Sequence, residues 1–175
     1  MEEKEDKKIW TLGHSTRSFD EFVAILNSFD IKHLVDVRRF PGSRKFPQFN
    51  KDQLEISMPE NNIKYSHLED LGGRRKALPD SKNTIWRNAS FMGYADYMET
   101  PAFKEALEIL KKIAMNDRIA IMCSEAVWWR CHRSMVADAL KAEHWEVMHI
   151  MGLDKGQEHP FTKPAKIVNG RLSYK

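Results

Sequence analysis

The chain has 175 residues, 42% hydrophobic and 30% charged, with a formal net charge of +3. That is a globular composition suited to a single domain over residues 1–175, and no apolar run approaches the roughly 20 residues a membrane-spanning helix needs. Two cysteines are too few for a disulfide framework, which points to a reducing cytosol, and so mild a charge speaks against a dedicated nucleic-acid binder.

The opening MEEKEDKK is charged, so residues 1–7 are expected to form a solvated N-terminus, neither signal peptide nor anchor. Lys8 to Gly13 is a short apolar run and reads as the first strand. Ser18-Phe19-Asp20-Glu21 is a capping box, and Phe19, Phe22, Val23, Leu26 and Phe29 then recur at helical spacing, which predicts a helix over Asp20 to Phe29. His33 to Arg38 is the second strand. The prolines and glycine between Arg39 and Asn50 mark a loop, after which Asn50 is expected to cap a short helix to about Met58. Ile63 to Leu68 is a weaker strand, ended by Gly72-Gly73. The polar stretch that follows carries Ile85, Trp86, Phe91, Tyr94 and Tyr97, enough apolar surface to pack rather than float. Thr100-Pro101 starts a helix, Arg118 to Cys123 is a buried strand, Arg133 to Ala142 a helix, and Glu146 to Met151 a strand. Asn169-Gly170 supplies the positive φ angles of a tight turn, so Lys166 to Ser173 reads as a hairpin. Alternating strands and helices predict an α/β fold: a mainly parallel sheet flanked by helices, with a small C-terminal β-hairpin.

The chemistry collects at strand ends: Gly13-His14-Ser15, Asp36-Val37-Arg38 and Cys123-Ser124-Glu125. In an open parallel sheet these ends share an edge where ligands bind, so three distant segments are expected to converge on one cleft. The densest motif runs from Cys123 through Trp128-Trp129-Arg130-Cys131-His132-Arg133-Ser134, strand to loop to helix start. A helix N-terminus and flanking arginines favour an anion, and they favour a thiolate at Cys131. The catalytic candidates are therefore Cys131, His132, Glu125, Cys123 and His14, with Ser15, Asp36, Arg38, Arg130 and Arg133 as substrate-binding candidates. Each has a structural alternative. Cys123 ends a buried strand, His132 could cap its helix, and Glu125 could sit in an ion pair. His14 and Ser15 could simply make the turn, Asp36 could hold Arg38, and Trp128 and Trp129 could cover the loop instead of stacking on a base.

These motifs resemble those of the family known as domain of unknown function 488. The resemblance covers most of the chain and is carried by Gly13-His14-Ser15, by Asp36-Val37-Arg38 with Pro41 and Ser43, by Leu71-Gly72-Gly73, by Phe91 with Gly93-Tyr94-Ala95-Asp96-Tyr97, and by the Cys123 to Arg133 block. It implies a common site, to which Ser43 is added as a substrate-binding candidate, and leaves the reaction open. Leu34-Val35-Asp36-Val37-Arg38 and the strand ending in Cys123 are also similar to rhodanese-like domains, although the loop to Arg133 is longer than theirs and has no glycine. Three functions compete: a cysteine-dependent enzyme acting on an anionic small molecule that contains phosphate, sulfur or a nucleotide; a nucleotide or nucleic-acid binding module using Arg38, Arg39, Arg44, Lys45 and the tryptophans; and a metal site at Cys123, Glu125, Cys131 and His132. The sequence leaves open whether a cofactor takes part.

Overall fold

A computed structural model describes residues 7–175, so the expectation for the charged N-terminus lies, except for Lys7, outside the described residues. Five strands, β1 (Lys8–Gly13), β2 (His33–Asp36), β3 (Lys64–His67), β4 (Ile119–Cys123) and β5 (Glu146–Gly152), run parallel. A sixth, β6 (Lys155–Glu158), returns antiparallel on β5, giving the order β3-β2-β4-β1-β5-β6. The hairpin β7 (Lys166–Val168) and β8 (Arg171–Ser173) stands apart, with Asn169 and Gly170 at φ of 53° and 77° as its turn requires.

The sheet is buried on both faces, and strand alternation sorts its side chains. Ile9, Val35, Val37, Ile119, Ile121 and Val147 join the core under α3 (Ala89–Tyr97), α4 (Pro101–Asn116) and α5 (Arg133–Ala142). Trp10, Leu12, Leu34, Ala120, Met122 and Ile150 join the core under α1 (Phe19–Ser28) and α2 (Lys51–Glu60). Local signals set the helix starts: Ser18 accepts from the Glu21 N–H, and Thr100 accepts from the Phe103 N–H ahead of Pro101. Asn50 does sit at the start of α2, but its side chain makes no cap; it accepts from the Ser43 N–H at 2.7 Å instead and pins the loop before it.

From β1 the chain moves outward to β2 and β3, then comes back to insert β4 between β1 and β2. The crevice beyond the C-terminal ends of β1, β4 and β2 is therefore a point of topological reversal, where such folds bind ligands. The backbone seals it from below: the His14 and Ser15 N–H groups donate to the Cys123 and Ser124 carbonyls, continuing the β1–β4 ladder past the sheet. The approach demands glycine, because a Cβ on Gly13 would meet the Glu125 carbonyl oxygen at 1.7 Å. Gly13→Ala is accordingly expected to cost at least about 2 kcal/mol in denaturant unfolding, since backbone and not a flexible side chain must yield; native-like stability would show that the loop moves freely.

Candidate functional site

A cleft of about 610 Å³ opens at this edge, and the two thiols form part of its lining. Cys123 is the last residue of β4 and Cys131 lies in the loop that leads into α5; they are 2% and 7% exposed. Their Sγ atoms are 2.7 Å apart, with both cysteines free. His132 borders Cys131 on the other side, its Nδ1 3.6 Å from the sulfur. Its Nε2 is 3.2 Å from the Val37 carbonyl, which can only accept, so Nε2 carries the hydrogen and Nδ1 offers a lone pair to Cys131. Burial lowers the His132 pKa and keeps that lone pair free. Gly73 leaves room for the ring: a Cβ there would stand 3.0 Å from Nδ1.

The thiols titrate as a pair. Burial would raise Cys131, but its hydrogen bond with Cys123 and the nearby Arg133 guanidinium outweigh burial and bring it below the usual thiol value. Burial, and then Cys131 itself, push Cys123 well up. One proton thus leaves the pair easily and the second is held.

Arg133 is the cation behind this. It is fully buried, and it faces the underside of the thiols instead of the cleft. Nη1 donates to Cys123 Sγ at 2.7 Å and to the Glu125 carbonyl at 2.6 Å, while Nη2 donates to the Ala126 carbonyl. Nε donates to Thr11 Oγ1 at 3.2 Å. From there a buried chain continues: Thr11 Oγ1 to His149 Nδ1 at 2.6 Å, His149 Nε2 to His159 Nδ1 at 2.8 Å, and His159 Nε2 to Asp138 Oδ1 at 2.8 Å. Arg133 donates at one end of this chain and Asp138 accepts at the other, with the Thr11 hydroxyl and the two imidazoles joining them. Asp138 also accepts from Thr162 and from the Tyr174 hydroxyl. Trp128 lies flat on His149, 4.7 Å between centroids and 6° between planes, so it covers the relay.

The second wall comes from β1 and β2. Asp36, fully buried, holds Arg38 through both carboxylate oxygens and accepts from the Tyr65 hydroxyl. Arg38 Nη1 lies 3.4 Å from His14 Nε2, and His14 Nδ1 donates to the Ser15 carbonyl at 2.8 Å. The His14 lone pair therefore faces a guanidinium. Burial brings this imidazole down to about 4, with Arg38 adding to the effect. Arg39, Arg74, Arg130 and Glu125 also line the cleft, together with Phe40, Phe46, Phe91 and the buried Tyr94.

The structure brings Cys123, Glu125, Cys131, His132, His14, Ser15, Arg38, Ser43 and Arg130 around one cleft. Asp36 and Arg133 lie directly behind that lining, holding Arg38 and Cys123 in place. Glu125 bonds through its backbone carbonyl while its side chain is exposed, and His132 stands at the start of α5 without capping it through its side chain. Arg74, whose basic cluster with Lys76 reads from sequence more as solvated surface than as a phosphate contact, lines the cleft, as does Gly73 of the Leu71-Gly72-Gly73 motif; sequence reasoning missed the Thr11, His149, His159 and Asp138 relay. The signal for the relay was available: polar residues interrupting strands and a helix that are otherwise apolar. Among the described residues no group of three or more His, Cys, Asp or Glu side chains is placed to hold a metal ion, and no helix is long and apolar enough to cross a membrane.

Residues 18–140 match the family described as Domain of unknown function DUF488. The chain belongs to the DUF488 family. No curated protein and no solved structure matches it. The matched region of this DUF488 chain contains both cysteines, His132, Arg133, Arg38 and Asp138, and stops short of His149 and His159.

The buried imidazoles make stability depend on pH. His14 is held at about 4, and His149 at about 2 through burial reinforced by His159 and Arg133. In the unfolded chain each would take up a proton near pH 6.5. Their contribution is thus complete above roughly pH 6.5 and is lost as the pH falls toward the folded values, about 1–2 kcal/mol for each histidine between about pH 7 and about pH 5. Denaturant unfolding at those two pH values checks this, with a shallower dependence expected for His149→Gln.

Proposed function

We propose that this DUF488 protein is a cysteine-dependent enzyme that acts on a small anionic substrate at the C-terminal edge of the sheet. The observation that carries the reading is the pair of contacting thiols in a cleft ringed by arginines, with an imidazole lone pair against one of the sulfurs. Arg39, Arg74 and Arg130 draw in and hold the anion. Cys131 is the nucleophile: His132 Nδ1 takes its proton, and Arg133 with Cys123 stabilises the charge left on sulfur. His14 acts through its hydrogen bonds with Arg38 and the turn, because its lone pair already faces a guanidinium. Free thiols of this kind suit a reducing compartment such as the cytoplasm.

A second reading, a nucleotide-binding module, draws on Phe40, which is 60% exposed at the mouth with the guanidiniums of Arg39 and Arg74 over its ring at 5.2 and 5.7 Å. An aromatic face between two cations can stack a base and grip its phosphate. Preference for adenosine monophosphate over inorganic phosphate, lost in Phe40→Ala, would favour this reading.

Alkylation kinetics across a pH series test the enzyme reading. Cys131 should label before Cys123, at a rate that at neutral pH exceeds the unfolded chain's by roughly tenfold. Inorganic phosphate or sulfate should slow the labelling, and Arg130→Ala should weaken that protection several-fold, in line with about 1 kcal/mol for an exposed charge contact. Cys123 labelling first would move the nucleophile to the strand end. Inert thiols in the folded protein would overturn the reading.

A further inference from the structure

We propose that Cys123 and Cys131 work as a dithiol–disulfide couple that reduces small anionic disulfides in the cleft, a reading that rests on the thiol-dependent function above and names its substrate class. A single-thiol enzyme needs one sulfur in a cationic setting. Here there are two, 2.7 Å apart and both lining the same cleft. Closing to the roughly 2.05 Å of a disulfide is a shift of under an ångström. The two sulfurs also differ in the way exchange requires. Cys131 has the imidazole of His132 beside it at 3.6 Å. Cys123 is held from behind by Arg133 Nη1 at 2.7 Å and faces the Glu125 carbonyl at 3.7 Å, so it is placed to act second. Arg39, Arg74 and Arg130 on the rim select disulfides bearing carboxylates or phosphates.

The chemistry closes. Cys131, its proton passed to His132 Nδ1 and on to solvent, attacks one sulfur of a substrate R–S–S–R′. A Cys131–S–R bond forms, the substrate S–S bond breaks and R′S⁻ leaves. Cys123 then attacks Cys131 Sγ. The Cys123–Cys131 bond forms, the mixed disulfide breaks, and the proton of Cys123 goes to the departing RS⁻. The substrate gains two electrons and the protein pair loses two; an external dithiol restores the reduced pair by the same exchange in reverse.

Oxidised glutathione, an anionic disulfide, is the probe. Mixed with the reduced full-length protein and followed by intact mass and peptide mapping, it should generate a Cys123–Cys131 link at least about tenfold faster than it reacts with the urea-unfolded chain. The uncharged hydroxyethyl disulfide should react several-fold more slowly. Cys123→Ser should accumulate glutathione on Cys131, and Cys131→Ser should form neither product at that rate. Cys123→Ala gives the same reading should the serine variant not fold, and the link in the native protein depends on neither. Native protein that keeps glutathione on Cys131 without forming the link, or that exchanges no faster than the unfolded chain, overturns the proposal; equal rates with the uncharged disulfide overturn its substrate class. If Cys131 still alkylates rapidly and anions still protect it while no exchange occurs, the thiol-dependent reading stands and this one falls. If Cys131 is inert to both reagents, both fall.

Discussion

A guanidinium with no exposed surface is the constraint around which this molecule is arranged. An unpaired buried cation costs several kcal/mol, and a buried arginine is normally met by a carboxylate. Arg133 is met instead by a sulfur, two loop carbonyls and a threonine hydroxyl. Asp138 closes the far end of the buried chain that starts at Arg133 Nε, with the Thr11 hydroxyl and two imidazoles between them. Because four of the guanidinium's N–H groups are committed, three of them to this loop, the stretch from Cys123 to Arg133 has little freedom: two of its carbonyls and one of its sulfurs are held from inside. A loop without glycine thereby acquires a fixed shape.

That arrangement separates two jobs often given to one arginine. Arg133 controls the thiols from beneath, while Arg39, Arg74 and Arg130 line the cleft, Arg39 also donating through Nη1 to the Arg74 carbonyl. The same division recurs on β2, where Asp36 is fully buried and spends its oxygens on Arg38 and Tyr65, leaving Arg38 to border the cleft. In both places a buried polar residue sets the direction of one that reaches the site, which is how a constellation of this kind stays ordered enough for chemistry.

Much of this was legible in the sequence. Buried parallel strands read as continuous apolar runs, so β4 and β1 were visible, as were helices marked by caps at Ser18 and Thr100. The convergence of His14, Arg38 and the cysteines followed from strand direction alone. Three things were not legible. Lys155–Glu158 is polar and exposed, with no alternation to announce a strand, because an edge strand needs only one partner. Helix α3 carries Gly93 in its middle and a weak apolar stripe, so packing against the sheet's cover defines it more than its own pattern does. The inward turn of Arg133 was hidden because an arginine at a helix start reads as a surface anion clamp; its burial rests on partners brought by Thr11 on β1, by Cys123 and by the carbonyls of Glu125 and Ala126.

The extent of the family match also bears on where this domain can be cut. Residues 18–140 enclose both cysteines but leave out Thr11 on β1, His149 on β5, His159, Thr162 and Tyr174. A recombinant fragment trimmed to those limits would carry the whole sulfur motif and yet strand two buried side chains, Arg133 and Asp138, without the groups that join them. The smallest piece able to stand alone is therefore set by the wiring behind the thiols, and it begins with β1 and ends at Tyr174.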